Sequence, residues 1–273
     1  MTTTIRWPES IVLVGAGKMG AAMALGWLSA GVNASSLTIL EPAPSPEVGS
    51  LEERGVALNP RDPAPPDVLA LAVKPQSLDA VAPRVAALAG ERTLILSILA
   101  GKTIANLRAR LPQARAVVRA MPNTPAAIGR GVTAAFASPE TTADQRSWSE
   151  HLLGVLGSFY WLGHEAGIDA VTAISGSGPA YVFALTEALA AAAEKLGLAP
   201  ELAMGLARGT VEGAAELMRR EGGTPPAILR RNVSSPGGTT AAALSVLQGD
   251  GGLNDLMARA TAAARDRAAE MAG

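Results

Sequence analysis

The stretch Ile11-Val-Leu-Val-Gly15-Ala-Gly17-Lys-Met-Gly20 decides the reading of the fold. Its first four residues are apolar on both faces of an extended chain, the pattern of a strand buried within a parallel sheet. Glycines follow at GxGxxG spacing and open a helix-like segment over residues 18–30. In such a strand-turn-helix unit Gly15 makes the tight turn, Gly17 lets the backbone approach a pyrophosphate, and Gly20 lets helix and strand pack closely. The helix N-terminus presents unpaired N–H groups to the phosphates. Gly15, Gly17, Lys18, Met19 and Gly20 are therefore candidate cofactor-binding residues.

Outward from this unit, strand-like runs recur at 37–40, 68–73, 93–98, 116–119 and 132–136, separated by helix-like segments at 47–54, 76–88, 104–111 and 143–156. The alternation predicts an α/β fold class, a Rossmann-type doubly wound sheet over residues 1–163. After Gly163 the strand pattern stops. Helical segments at 165–174, 179–196, 200–220, 239–248 and 252–272 predict an all-helical domain over 164–273. These helices are rich in Ala and Gly, which let backbones approach closely but bury little side-chain area in one chain. Association between subunits, as a homodimer or larger homo-oligomer, is the expected remedy.

A chain of 273 residues suits one large or two modest domains. With 23 Lys+Arg against 24 Asp+Glu, and only four Trp, two Tyr and three Phe, there is no basic or base-stacking surface for nucleic acid. No unbroken apolar run approaches the ~20 residues of a bilayer span, so no membrane association is expected. Met1–Pro8 holds one basic residue and no apolar segment of a secretory signal, and a cytoplasmic protein is expected. The absence of Cys excludes disulfides and thiolate catalysis, and the two histidines, His151 and His164, make neither a metal site nor a Ser-His-Asp arrangement.

Glu41 ends the second strand-like run, where a carboxylate accepts hydrogen bonds from the ribose hydroxyls of NAD. The nearest following basic residue is Arg54, so local electrostatics favour NADH; Asn59 or Ser45 would serve a 2′-phosphate if Glu41 turned to solvent. Ala72, Val73, Lys74 and Pro75 end another strand at the carboxyl edge of the sheet, where open α/β folds bind ligands. Ala100 joins the candidate cofactor set. So does Asn123, within Arg119-Ala-Met-Pro-Asn-Thr-Pro125, as a lip of a nicotinamide pocket.

In the helical half, Ile174-Ser-Gly-Ser-Gly-Pro-Ala-Tyr181 predicts a helix capped by Ser177 or Gly178. In Asn232-Val-Ser-Ser-Pro-Gly-Gly-Thr-Thr240, Ser235 as N-cap and Pro236 at the first helical position would leave the N–H groups of Gly237, Gly238 and Thr239 open to a carboxylate.

Together these pieces resemble the pyrroline-5-carboxylate reductase family. The matches are Gly15–Gly20, Ala72–Pro75 with Gln76, Met121-Pro-Asn-Thr-Pro-Ala126, Ala173–Tyr181 and Val233–Thr240, in the family's order; the last two are the most specific. The resemblance implies reduction of 1-pyrroline-5-carboxylate to L-proline with NADPH or NADH as cofactor, the last step of proline biosynthesis. It further implies a helical dimerisation domain and dimers that assemble into larger rings. The imine carboxylate substrate would lie at Ser235, Gly237, Gly238, Thr239 and Thr240, and Thr240 matches the family's catalytic threonine, expected to hydrogen-bond the ring nitrogen. Glu41 departs from the small or polar residues of NADPH-using members. Two other functions fit parts of the pattern: a hydroxy-acid dehydrogenase, which would need a catalytic lysine where the helical half has only Lys195, and a non-catalytic NAD(P) sensor.

Overall fold

The computed structural model describes residues 6–272; the signal-segment expectation for residues 1–5 lies outside them. Contacts divide the chain into two compact units, one reaching to Gly176 and resuming at Ala264, the other Ser177–Ala263. The first unit contains β1 (Ile11–Val14), α1 (Lys18–Ser29), β2 (Leu37–Leu40), α2 (Pro46–Gly49), β3 (Ala57–Leu58), β4 (Val68–Leu71) and α3 (Leu78–Ala86). It continues with β5 (Leu94–Ser97), α4 (Ile104–Arg110), β6 (Val117–Met121), β7 (Gly131–Ala137), α5 (Ala143–Gly154), β8 (Gly157–Trp161) and α6 (Gly167–Val171).

The strands form one sheet in the order β3-β2-β1-β4-β5-β6-β7-β8, with β7 antiparallel to β6 and every other neighbouring pair parallel. β6 and β7 are joined through a short 3₁₀ turn, Thr124–Ile128, too short for the crossover that a parallel partner requires. The order reverses direction between β1 and β4, which places a ligand crevice at the carboxyl ends of those strands. Both faces are covered. Ile11 and Leu13 pack with Trp27, Leu37, Ile39 and Leu152 on one side, while Val12 and Val14 pack with Leu69, Leu71, Leu78 and Leu107 on the other. Trp27 satisfies its buried indole N–H on the Leu152 carbonyl at 2.7 Å, tying α1 to the end of α5.

Three elements here differ from the sequence expectation. β3 is one, because its two residues, Ala57 and Leu58, are too few to write an apolar pattern. β8 has no counterpart in the predicted strands; it is an edge strand with Ser158 and Tyr160 exposed, and Gly157 and Ser158 dilute its apolar signal. The helix expected at 165–174 is α6 followed by a π turn at Thr172–Gly176.

The second unit is helical: α7 (Gly178–Lys195), α8 (Pro200–Arg220), α9 (Pro226–Asn232), α10 (Thr239–Leu247) and α11 (Leu253–Ala272), the last turns of α11 belonging to the first unit. α7 and α8 pack on each other, with Ala190, Ala203 and Ala207 buried. Their larger apolar side chains stay exposed, including Val182, Leu185, Leu202, Leu206 and Phe183, which is 64% exposed. Among the described residues, the helical run Gly167–Lys195 is the one stretch long and apolar enough to cross a membrane by length and composition. Searching for unbroken apolar runs misses it, because Ser175, Ser177, Thr186 and Glu187 interrupt the sequence.

Candidate active site

At the carboxyl edge of β1 the chain turns at Gly15, whose φ is +90° and whose Cα faces the Ala72–Val73 peptide so closely that a Cβ would stand 2.8 Å from the Val73 nitrogen. A Cβ on Gly20 would stand 2.1 Å from the Gly15 carbonyl oxygen, so these two glycines serve packing. Gly17 differs. Nothing lies within 4 Å of where its Cβ would be, it is the N-cap of α1, and the first turn of that helix has neither a side-chain cap nor an acidic residue. An uncapped terminus with open space before it suits an anion such as a dinucleotide pyrophosphate.

Glu41, just past β2, is held rather than loose. Its Oε2 accepts from the Ala16 N–H at 2.8 Å and its Oε1 from the Ala43 N–H at 3.1 Å. Asn59 brackets its backbone: Asn59 Oδ1 accepts from the Glu41 N–H at 3.0 Å and Nδ2 donates to the Glu41 carbonyl at 2.8 Å. Glu41 lines two clefts, one of ≈ 510 Å³ with Gly17, Lys18 and Ser45, the other of ≈ 530 Å³ with Gly15, Lys74, Ser77 and Arg84. The expectation that no basic residue stands near Glu41 holds only along the chain; folding brings Lys74 and Arg84 to the same cleft. A larger cleft of ≈ 1020 Å³, lined by Glu9, Asp67, Glu91 and Arg115, lies at the amino edge of the strands, away from the glycine loop.

The other expected cofactor residues lie at the carboxyl edge as well. Ala72–Pro75 follow β4, and Ala100 follows β5 beside Gly101, against which the Met271 backbone packs. Asn123 follows β6, but its amide is turned inward and does not form a free lip. Its Oδ1 accepts from the Val132 N–H at 2.8 Å and its Nδ2 donates to the Ser175 carbonyl at 3.0 Å. Nearby, Arg119 anchors a buried ion-pair cluster that sequence inspection underrated. With a side chain 3% exposed, it pairs with Glu165 at 3.3 Å and Asp169 at 3.5 Å, and Glu165 also accepts from the Ile104 N–H at the start of α4. The available signal was an arginine inside the apolar run Val117-Val-Arg-Ala-Met121. The histidines line none of these clefts: His151 stacks edge-on against Trp7, and His164 accepts from the Gly167 N–H.

In the second unit the predicted caps shift. Ser177 precedes α7 without a side-chain capping bond. Ser235 and Pro236 lie in a turn ahead of α10, which begins at Thr239 with Gly238 as N-cap. The Gly238 N–H is taken by the Ser235 carbonyl at 3.1 Å, so it is not an open donor. The first-turn N–H groups that lack intrahelical partners are those of Thr239, Thr240 and Ala241. Gly237 makes the turn possible with φ +72°.

A Rossmann-type sheet with an open, glycine-lined helix terminus at its switch point, joined to a helical unit, defines a nicotinamide-dinucleotide-dependent oxidoreductase. Comparison with known proteins refines the class. Residues 165–271 match the family model for pyrroline-5-carboxylate reductase dimerisation, and residues 10–101 match that for coenzyme F420-dependent NADP oxidoreductases. The chain is 42% identical over 265 residues to a pyrroline-5-carboxylate reductase of Pseudomonas aeruginosa, covering 96% of both chains. It superposes with a TM-score of 0.88 on the reductase of Coxiella burnetii, at 34% identity and covering 97% of this chain and 99% of that one. The NADP-bound pyrroline carboxylate reductase of Plasmodium falciparum gives 0.78 at 26% identity, over 97% and 98% of the two chains. The chain belongs to the pyrroline-5-carboxylate reductase family, enzymes that use NAD(P)H to reduce 1-pyrroline-5-carboxylate in proline biosynthesis. Its helical part carries the family's dimerisation domain.

Proposed function

We propose that residues 1–163 bind the dinucleotide and residues 164–273 bind substrate and assemble the oligomer, with Thr240 as the catalytic residue. Bound NAD(P)H supplies the hydride that reduces the C5=N bond, and the nitrogen keeps its proton as the product amine. Gly15, Gly17, Lys18, Met19 and Gly20 hold the phosphates at the α1 terminus; Glu41, Ala72, Val73, Lys74, Pro75 and Ala100 line the rest of the cofactor's path, and Asn59 and Asn123 brace it. Ser235, Gly237, Gly238, Thr239 and Thr240 form the substrate loop, where the N–H groups of Thr239 and Thr240 receive the carboxylate and the Thr240 hydroxyl bonds the ring nitrogen.

A protonated imine is already electrophilic, so these residues mainly hold two flat rings at reacting distance. Such positioning supplies up to ~7–11 kcal/mol and needs no strong acid, in keeping with a site without histidine. The observation that carries the assignment is the open start of α10 at Thr239 and Thr240, in a chain related over 96% of its length to known reductases. We place the enzyme in the cytoplasm, as a homodimer or a larger assembly of dimers. Oxidation of NADH or NADPH on adding 1-pyrroline-5-carboxylate, with no response to a panel of 2-hydroxy acids, is the expected result. Turnover of a hydroxy acid alone would overturn the assignment.

A further inference from the structure

Given the dinucleotide site proposed above, Glu41 faces the ribose as a fixed anion. Turning its carboxylate to solvent would strand the N–H group of the buried Ala16 and give up the bond from Ala43, and Asn59 clamps its backbone from behind. Such an anion opposes a 2′-phosphate. Across the same ≈ 530 Å³ cleft stands α3, with Val81 and Arg84 on one helical face and Ser77 just ahead of it. The Arg84 Nη2 lies 3.4 Å from the Pro60 carbonyl, next in sequence to Asn59, so this cation reaches the corner that holds Glu41. On the same helix Asp79 is taken by Arg110, and Arg54 and Arg61, the other arginines near Asn59 in sequence, line neither cleft with Glu41. Among the described residues Arg84 forms no ion pair, and its hydrogen bond to Pro60 is long and to a neutral oxygen. Lys74 lines the cleft too, but from the Ala72–Pro75 turn that packs on Gly15, on the side of the glycine loop.

We propose that Arg84 reads the 2′ position of the cofactor, pairing with the 2′-phosphate of NADP(H) and offsetting Glu41. The chain then accepts both cofactors, and selectivity is set across the cleft by α3 instead of by a basic residue following β2. The experiment is calorimetric titration of NAD⁺ and NADP⁺ into the wild type and into Arg84→Gln, Arg84→Lys, Glu41→Gln and Lys74→Gln. Losing a charge-assisted contact should raise the ratio Kd(NADP⁺)/Kd(NAD⁺) about tenfold or more in Arg84→Gln. Arg84→Lys should recover part of it, Glu41→Gln should lower it, and Lys74→Gln should move both constants together. A ratio unchanged within about twofold in Arg84→Gln, or a wild type that binds NAD⁺ but not NADP⁺, overturns the role of Arg84. A wild type that binds neither overturns the dinucleotide site itself.

Discussion

Gly17 and Gly20 sit three residues apart in one motif and are expected to fail differently. A methyl group on Gly20 collides with the Gly15 backbone, which has no flexible side chain to move aside. Overpacking of this kind costs about 1–3 kcal/mol, so Gly20→Ala should lower the thermal midpoint by several degrees, read by circular dichroism. Gly17 has ordinary φ and open space, so Gly17→Ala should melt like the wild type yet weaken dinucleotide binding at least about tenfold, because the methyl stands where the phosphates approach. Equal melting and unchanged affinity would take Gly17 out of the site. At the other loop, Thr240→Ala should retain cofactor affinity while kcat falls about 10²–10³, the usual effect of removing one positioned donor.

Among the secondary-structure elements, the Arg119 cluster matters most. It joins β6 to the segment entering α6 and, through Glu165, to the N-terminus of α4. Arg119→Met would leave two carboxylates half-buried without a cation. Breaking a buried pair costs 3–5 kcal/mol, and because Glu165 and Asp169 retain 28% and 21% side-chain exposure, about 3 kcal/mol is expected. Urea unfolding would read it directly. The exposed trio on α8 is a counterexample. Hydrogen bonds from Arg219 and then Arg220 pull the Glu216 carboxyl down to about 2 from 4.5. Its contribution is therefore present above the ordinary carboxylate range and is lost as pH falls from there through about 2. Because the pair lies at the surface, with the Glu216 side chain 43% exposed and screened by salt, Glu216→Gln at neutral pH should change the urea midpoint far less than Arg119→Met. A comparable loss would mean that exposed pairs carry this fold.

At the scale of the molecule, the uncovered apolar residues of α7 and α8 predict self-association. Light scattering should report at least twice 27.7 kDa at micromolar concentration, and Phe183→Glu should shift the protein towards the monomer. A 27.7 kDa species in the wild type would refute this. A fragment ending at Gly163 lacks Glu165 and Asp169, leaving Arg119 unpaired inside the sheet domain. One ending at Gly176 keeps both and should melt higher.

Sequence alone determined the β1–α1 unit, the two-faced core strands, the helical second half and the Val233–Thr240 loop. Each is signalled by neighbours a few residues apart, through turn chemistry and hydrophobic period. β8 escaped because an edge strand buries too little to write a clear apolar pattern, and the shifted start of α10 escaped because the Gly238 N–H found the Ser235 carbonyl before any helix began. Tertiary structure alone decided that Glu41 is pinned to Ala16, that Asn123 faces inward, that Arg119 meets Glu165 and Asp169, and that Arg84 shares a cleft with Glu41. The fold brings together residues 25 to 52 apart in sequence, and charge interacts through space, so these pairings have no local trace along the chain.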